Sequence, residues 1–251
     1  MVSGFAIPLL GLLAASNRIG ETRAPFLPLA VERLEQPLDD ARVGDWVAYR
    51  IDAGPTRQGH WRVAVVGEEQ DARGRPAFWL EIEFGSHASL SAPLLQFRML
   101  VAKGTGISSD GVSRLIVVFG HDRAQEVDPS AIGRVLLGAR AAETTPEGQN
   151  GHSASQGELS VRHGKELRLL TSAGTVSATP VELWYQRTLV QRFWISAEVP
   201  VLHLARIELP AAAHSMEASG YGHDAKARVG EPGSATPKIR LERQADAAGG
   251  F

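Results

Sequence analysis

Carboxylates, histidines and hydroxyls are the candidate groups for chemistry in this chain, which contains no cysteine. Disulfides, zinc–thiolate sites, iron–sulfur clusters and thiol nucleophiles are therefore excluded. Glu81 and Glu83 point the same way from one extended run, as a carboxylate pair for acid–base work or metal binding would need. No histidine stands at a diagnostic interval from them, and a calcium loop needs several oxygen ligands in one turn. Alternation by itself predicts such a pair on a solvated strand face, which is the simpler account. Glu68-Glu69, just before Gln70-Asp71, reads as a turn. The eight histidines (His60, His87, His121, His152, His163, His203, His214 and His223) form neither H-x-x-x-H nor H-E-x-x-H. His121-Asp122 and His223-Asp224 are adjacent in sequence and cannot face each other along a strand. The nucleophile-elbow pattern G-x-S-x-G is absent, and Gly104-Thr105-Gly106 lacks the remaining elements of a phosphate loop. The patterns assign no catalytic residue, no metal ligand and no cofactor, so the chain is expected not to be an enzyme.

The elements that position these residues are strands. His60 to Val65, Phe78 to Phe84 and Leu95 to Val101 each alternate apolar and more polar residues. Gly74-Arg75-Pro76 punctuates the first gap and Gly85-Ser86 with Pro93 the second, giving an antiparallel meander with one apolar side. Upstream, Val43 to Ile51 reads as a strand after a Gly-Asp turn. Downstream, Arg114 to Phe119 is a continuous apolar run, fit for burial on both faces. Asp128 can cap a helix that Pro129 opens, with Ile132, Val135, Leu136 and Ala139 at helical spacing. The second half is β again. Leu159-Ser160-Val161 and Leu167-Arg168-Leu169 flank His163-Gly164-Lys165 as a hairpin signal; Thr175 to Trp184, Gln191 to Ser196 and Val201 to Leu209 follow, with a weaker last strand at Met216 to Tyr221.

Five tryptophans, Trp46, Trp61, Trp79, Trp184 and Trp194, all fall in expected strands, where such rings most often serve the core. Trp61 shares its face with Val63 and Val65, whereas Trp79 shares its face with Glu81 and Glu83 and is expected at a rim or interface. A length of 251 residues with 43% hydrophobic content allows a sizeable core. The net charge of −2 leaves no electrostatic footprint for nucleic acid or an anionic membrane. Residues 1–16 read as an export signal, with an apolar run from Phe5 to Ala15 and small residues Ala14-Ala15-Ser16 for cleavage. That run is too short for a permanent membrane span. Residues 17–42 form an N-terminal segment, 43–225 an antiparallel β domain with a helix near 129–142, and 226–251 a disordered tail rich in Gly, Pro, Ala and charge.

Gly44-Asp45-Trp46-Val47-x-Tyr49 and Arg192-Phe193-Trp194-Ile195-Ser196-Ala197-Glu198-Val199-Pro200 carry a resemblance. With these two segments the chain resembles uncharacterised exported bacterial proteins related to the LolA/LolB lipoprotein carriers. The resemblance spans roughly residues 40–225, and the 141–156 connection and the tail have no counterpart in it. It implies a mainly β fold, a curved antiparallel half-barrel with one or two helices covering a hydrophobic concavity. It also implies an apolar ligand, an acyl chain or a lipidated partner, in the periplasm. From the alternation, the pocket residues are expected to be Val63, Val65, Leu80, Ile82, Phe97, Met99, Ile132, Leu136 and Trp194. Contact with a membrane is expected to be peripheral at most. The alternative is a structural or interaction module of the cell envelope whose own side chains fill the same face.

Overall fold

The computed structural model describes Leu38 and residues 40–54, 58–108, 110–133, 135–136 and 159–240. The expected export signal, most of the 17–42 segment and the 141–156 connection lie outside the described residues. Among the described residues, twelve strands run in order: β1 (Trp46–Asp52), β2 (Gln58–Gln70), β3 (Pro76–Gly85), β4 (Leu95–Ala102), β5 (Val112–Phe119), β6 (Gln125–Glu126), β7 (Leu159–His163), β8 (Leu167–Thr171), β9 (Gly174–Tyr185), β10 (Thr188–Ile195), β11 (Leu204–Leu209) and β12 (His214–Gly222). A short helix over 129–136 follows β6. Asp128 caps it: its carboxylate accepts from the backbone N–H of Ser130 at 3.0 Å.

The strands form one sheet in the order β6-β5-β4-β3-β2-β1-β12-β11-β10-β9-β7, with β8 also on β9. Two meanders, β1–β6 and β7–β12, are joined where β1 pairs antiparallel with β12. The sheet is open and curled rather than closed; β6 ends one edge, and β7 and β8 share the other. Its apolar residues, the buried residues of the helix (Ala131, Ile132 and Val135) and the 199–205 connection belong to one continuous core. β5 is covered on both faces, as its apolar run predicts. Leu115 and Val117 join that core, while Ile116 and Val118 join a smaller cluster on the other side.

Three features depart from the sequence reading. β7 and β8 do not form a hairpin with each other. Each pairs with β9, β7 along Val181–Tyr185 and β8 along Gly174–Ala178. The tight turn is Ser172-Ala173, closed by Thr171 donating to the Gly174 carbonyl, where Gly174 adopts φ +121°. β12, expected as a weak last strand, lies centrally between β1 and β11. Residues 226–240 of the expected disordered tail are ordered against the sheet, with Val229 buried and Ile239 bridging to Val127. Residues 241–251 lie outside the described residues.

Candidate functional site

Antiparallel register places cross-strand partners on the same face. On one face of β1–β5 it assembles three rows: Tyr49–Trp61–Phe84–Leu95–Phe119, Val47–Val63–Ile82–Phe97–Val117, and Val65–Leu80–Met99–Leu115. None of these residues carries a charge. Six expected pocket residues fall into two of the rows, Val63, Ile82 and Phe97 in one and Val65, Leu80 and Met99 in the next. Ile132 of the helix is buried in the same core, and Leu136 packs against it half-buried.

Trp194 belongs to the same buried core, but its register differs from that of the group. It pairs with Arg206, which pairs with Glu217, which pairs with Arg50, so the register puts it on the face opposite Tyr49 and Trp61. There Arg192 and Arg206 lie 5.5 and 5.7 Å from its ring. A ladder of alternating charge crosses five strands on that face. Arg50 and Arg206 each reach Glu217 at 2.7 Å, and Arg192 reaches Glu182 at 2.7 Å. Burial works to raise the Glu217 carboxyl. The hydrogen bonds from Ser172 and Arg206 and the nearby guanidinium charges of Arg206 and Arg50 together hold it below its usual value. The sequence could not separate Trp194 from the pocket set, because its strand is apolar at successive positions, Phe193, Trp194 and Ile195.

The first row contains what the pocket list lacked. Trp61 stacks on Tyr49 at 5.3 Å and on Phe84 at 6.0 Å, and Phe84 meets Phe97 edge-on at 6.4 Å. The Tyr49 hydroxyl donates to the Leu204 carbonyl at 3.0 Å, tying β1 to β11 across the curl. The signal for Trp61 was present in its alternation with Val63. Nothing local marked Tyr49 and Phe84 as its neighbours.

The opposite face of β2–β4 corrects the reading of Glu81 and Glu83, which are not solvated but both 0% exposed. Residues 226–231 cross over them. The backbone N–H groups of Arg228 and Val229 donate to the Glu81 carboxylate at 2.9 and 3.0 Å. Glu83 takes the guanidinium groups of Arg62 and Arg228 at 3.0 Å each, and the Gln96 amide at 2.9 Å. Burial pushes the Glu81 carboxyl above its usual value, outweighing the two backbone hydrogen bonds and the Arg98 charge. Trp79, expected at a rim or an interface, is buried here, with the guanidinium groups of Arg98 and Arg114 over its ring at 4.6 and 5.1 Å. Its indole N–H donates to Glu69, so Glu69 belongs to this layer rather than to a turn. These carboxylates are saturated by donors, an arrangement suited to fastening a segment rather than to proton transfer. A cleft of about 410 Å³ beside the crossing segment is lined by charges of both signs, among them Asp122, Arg123, Arg228 and Glu231. Among the described residues, no group of three or more His, Asp or Glu could hold a metal ion, and no helix is long and apolar enough to cross a membrane.

No protein-family model matches the chain, and no curated protein is similar to it in sequence. Solved structures of similar shape include a protein inferred to be exported, with a YmcC-like fold, from Bacteroides fragilis. It is 11% identical, with a TM-score of 0.33, over 74% of this chain and 98% of that one. MucB is 9% identical with a TM-score of 0.34, over 78% of this chain and 58% of its own. MucB in complex with MucA is similar at 9% identity and a TM-score of 0.33, over 78% of this chain and 55% of that one. Likeness of this degree carries no function from those proteins to this one.

Proposed function

We propose that this chain is a non-catalytic, exported binding protein whose uncharged sheet face takes an apolar chain, the acyl group of a lipid or of a lipidated partner. The observation that carries this reading is the set of three aligned rows on β1–β5, with no charged side chain among them, most of them buried under the 199–205 connection and, among the described residues, one short helix that would have to move aside for a ligand. Val63, Val65, Leu80, Ile82, Phe97 and Met99 form the floor; Ile132 and Leu136 on the helix form part of the cover. Each methylene moved from water onto such a surface contributes about 0.8 kcal/mol, so chain length alone gives affinity. A short helix with a narrow apolar face can shift aside more readily than a sheet strand, because its contacts are few and local.

A second reading, an interaction module of the envelope, is favoured by one specific observation. Most of the exposed large apolar side chains lie on the second meander: Leu170 is 71% exposed and Val161 56%, with Leu167, Tyr185 and Val190 also exposed, against Val43 and Leu94 elsewhere. The deciding experiment is mass spectrometry of lipid extracted from the purified protein, with titration of the delipidated protein by a fluorescent acyl probe. Co-purified acyl lipid and saturable uptake are expected. Absence of both would discard the apolar-ligand reading and leave the module. A Leu170→Ser, Val161→Ser double variant should then lose whatever envelope protein the wild type captures.

A further inference from the structure

We propose that the indole N–H of Trp61 is the polar anchor of the site, and that the bound chain therefore ends in a neutral carbonyl oxygen, an ester or amide rather than a bare hydrocarbon or a free carboxylate. This rests on the apolar-ligand reading above.

Trp61 is only 3% exposed, and its Nε1 is buried with no hydrogen-bond partner. Buried indole N–H groups normally find an acceptor, and one that does not calls for an explanation. Trp46, Trp79 and Trp184 follow the rule, donating to Asp224, Glu69 and Glu182. Trp61 differs because of its neighbours. Tyr49 on β1 and Phe84 on β3 flank it on either side and stack on it with interplanar angles of 27° and 9°. An N–H lies in the plane of its ring, so it points toward neither stacked ring. The Tyr49 hydroxyl donates to the Leu204 carbonyl and does not accept from the Trp61 N–H. Along the same face, the next residue of β2 is Val63, and the neighbouring row is wholly apolar. The donor is thus held inside an uncharged, buried layer, with nothing of the protein's described face to accept it.

The same surroundings decide the kind of acceptor. A carboxylate brought here would be a buried charge with no cation in the rows, which is strongly disfavoured. An ester or amide oxygen accepts the N–H without a charge to desolvate. Its chain can continue over the Val63–Ile82–Phe97 row.

The test uses the full delipidated chain and its Trp61→Phe variant, which keeps an aromatic ring and removes the N–H. Monopalmitoylglycerol supplies the carbonyl, diphenylhexatriene is the hydrocarbon control, and an N-palmitoylated peptide presents the amide of a lipidated protein. The variant is expected to bind monopalmitoylglycerol about tenfold more weakly than wild type and diphenylhexatriene equally well. Equal binding of the ester by both proteins, or a parallel loss for ester and hydrocarbon, would overturn the anchor. If wild type binds neither probe, the apolar-ligand reading fails and the anchor with it. Tighter binding of either acyl probe supports the proposal and names the source of the chain. A measurement that needs no variant to bind is the wild-type indole ¹⁵N–¹H spectrum. The Trp61 proton should move downfield with monopalmitoylglycerol and stay in place with diphenylhexatriene; a stationary resonance at saturating ester would also overturn the anchor.

Discussion

Glu81 is a carboxylate without water, and its pH behaviour follows from that. Burial raises its pKa in the folded chain, and the N–H groups of Arg228 and Val229, with Arg98, offset this only in part. The folded protein therefore holds the proton more tightly than the unfolded chain. The stabilisation linked to protonation is complete below the ordinary glutamate range and is lost as pH rises through the raised folded value. Glu81→Gln removes the buried charge and, with its amide oxygen at the Oε1 position, keeps one acceptor that both backbone N–H groups already reach, at 3.2 and 3.0 Å, at the loss of the second acceptor of Arg228. The variant should gain stability relative to wild type near neutral pH, and that advantage should shrink as pH falls toward 4.5. Urea midpoints of both proteins across this range measure it; a difference that stays flat with pH would remove the buried-charge account. Glu217 is the contrast on the same sheet, since its hydrogen bonds and neighbouring guanidinium charges outweigh its burial. Alternation, which showed that Glu81 and Glu83 share a face, could not show this, because it says which residues share a face and is silent about what covers it.

What covers that face is a segment the sequence made look dispensable. Residues 226–231, Lys226-Ala227-Arg228-Val229-Gly230-Glu231, are half charged with one apolar side chain larger than alanine, the composition of chains that cannot bury enough surface to order themselves. They order here because the fastening is backbone N–H to buried carboxylate, which composition cannot reveal. The segment is led onto the sheet at Gly44, where a side chain would strike the His223 carbonyl, and where Ala225 donates to the Gly44 carbonyl at 2.8 Å. Val229 then fills the small cluster with Trp79, Leu100 and Ile116. Val229→Ala is expected to lower stability by about 1–2 kcal/mol, as core truncations of this size do. The amides of Arg228 and Val229 should exchange with solvent as slowly as those of β3. Exchange at the rate of an unstructured chain would show that the segment is not fastened. The β7–β8 pairing fails in the sequence for a related reason. His163-Gly164-Lys165 and Ser172-Ala173-Gly174 are both plausible turns, and only the long β9, able to accept β7 and β8 end to end along one edge, decides between them.

At the scale of the whole molecule, the first meander was the legible part. Its strands alternate cleanly, are joined by short turns, and pair with their sequence neighbours, so register and face follow from local pattern. The closure of the two meanders was not legible, because β1 and β12 lie at opposite ends of the fold's sequence and no local signal selects that partner. Met216 sits at this seam. It pairs with Ile51 on one side and Ile207 on the other, and is almost wholly buried. The apolar core runs through it without a break from Val117 in the first meander to Phe193 packed against it in the second. Two meanders sharing one core should unfold together rather than in turn. Met216→Ala leaves a cavity at the seam and is expected to cost about 2–4 kcal/mol. Because the loss falls on the shared core, it should lower the transition of both halves equally. Fluorescence of Trp61 and of Trp194, each isolated by replacing the other tryptophans with phenylalanine, reports the two halves separately. Coincident urea transitions are expected in the parent proteins and in their Met216→Ala derivatives. Separate midpoints, with only the Trp194 half moved by Met216→Ala, would show that β12 belongs to the second meander alone and that the seam is an interface rather than a core.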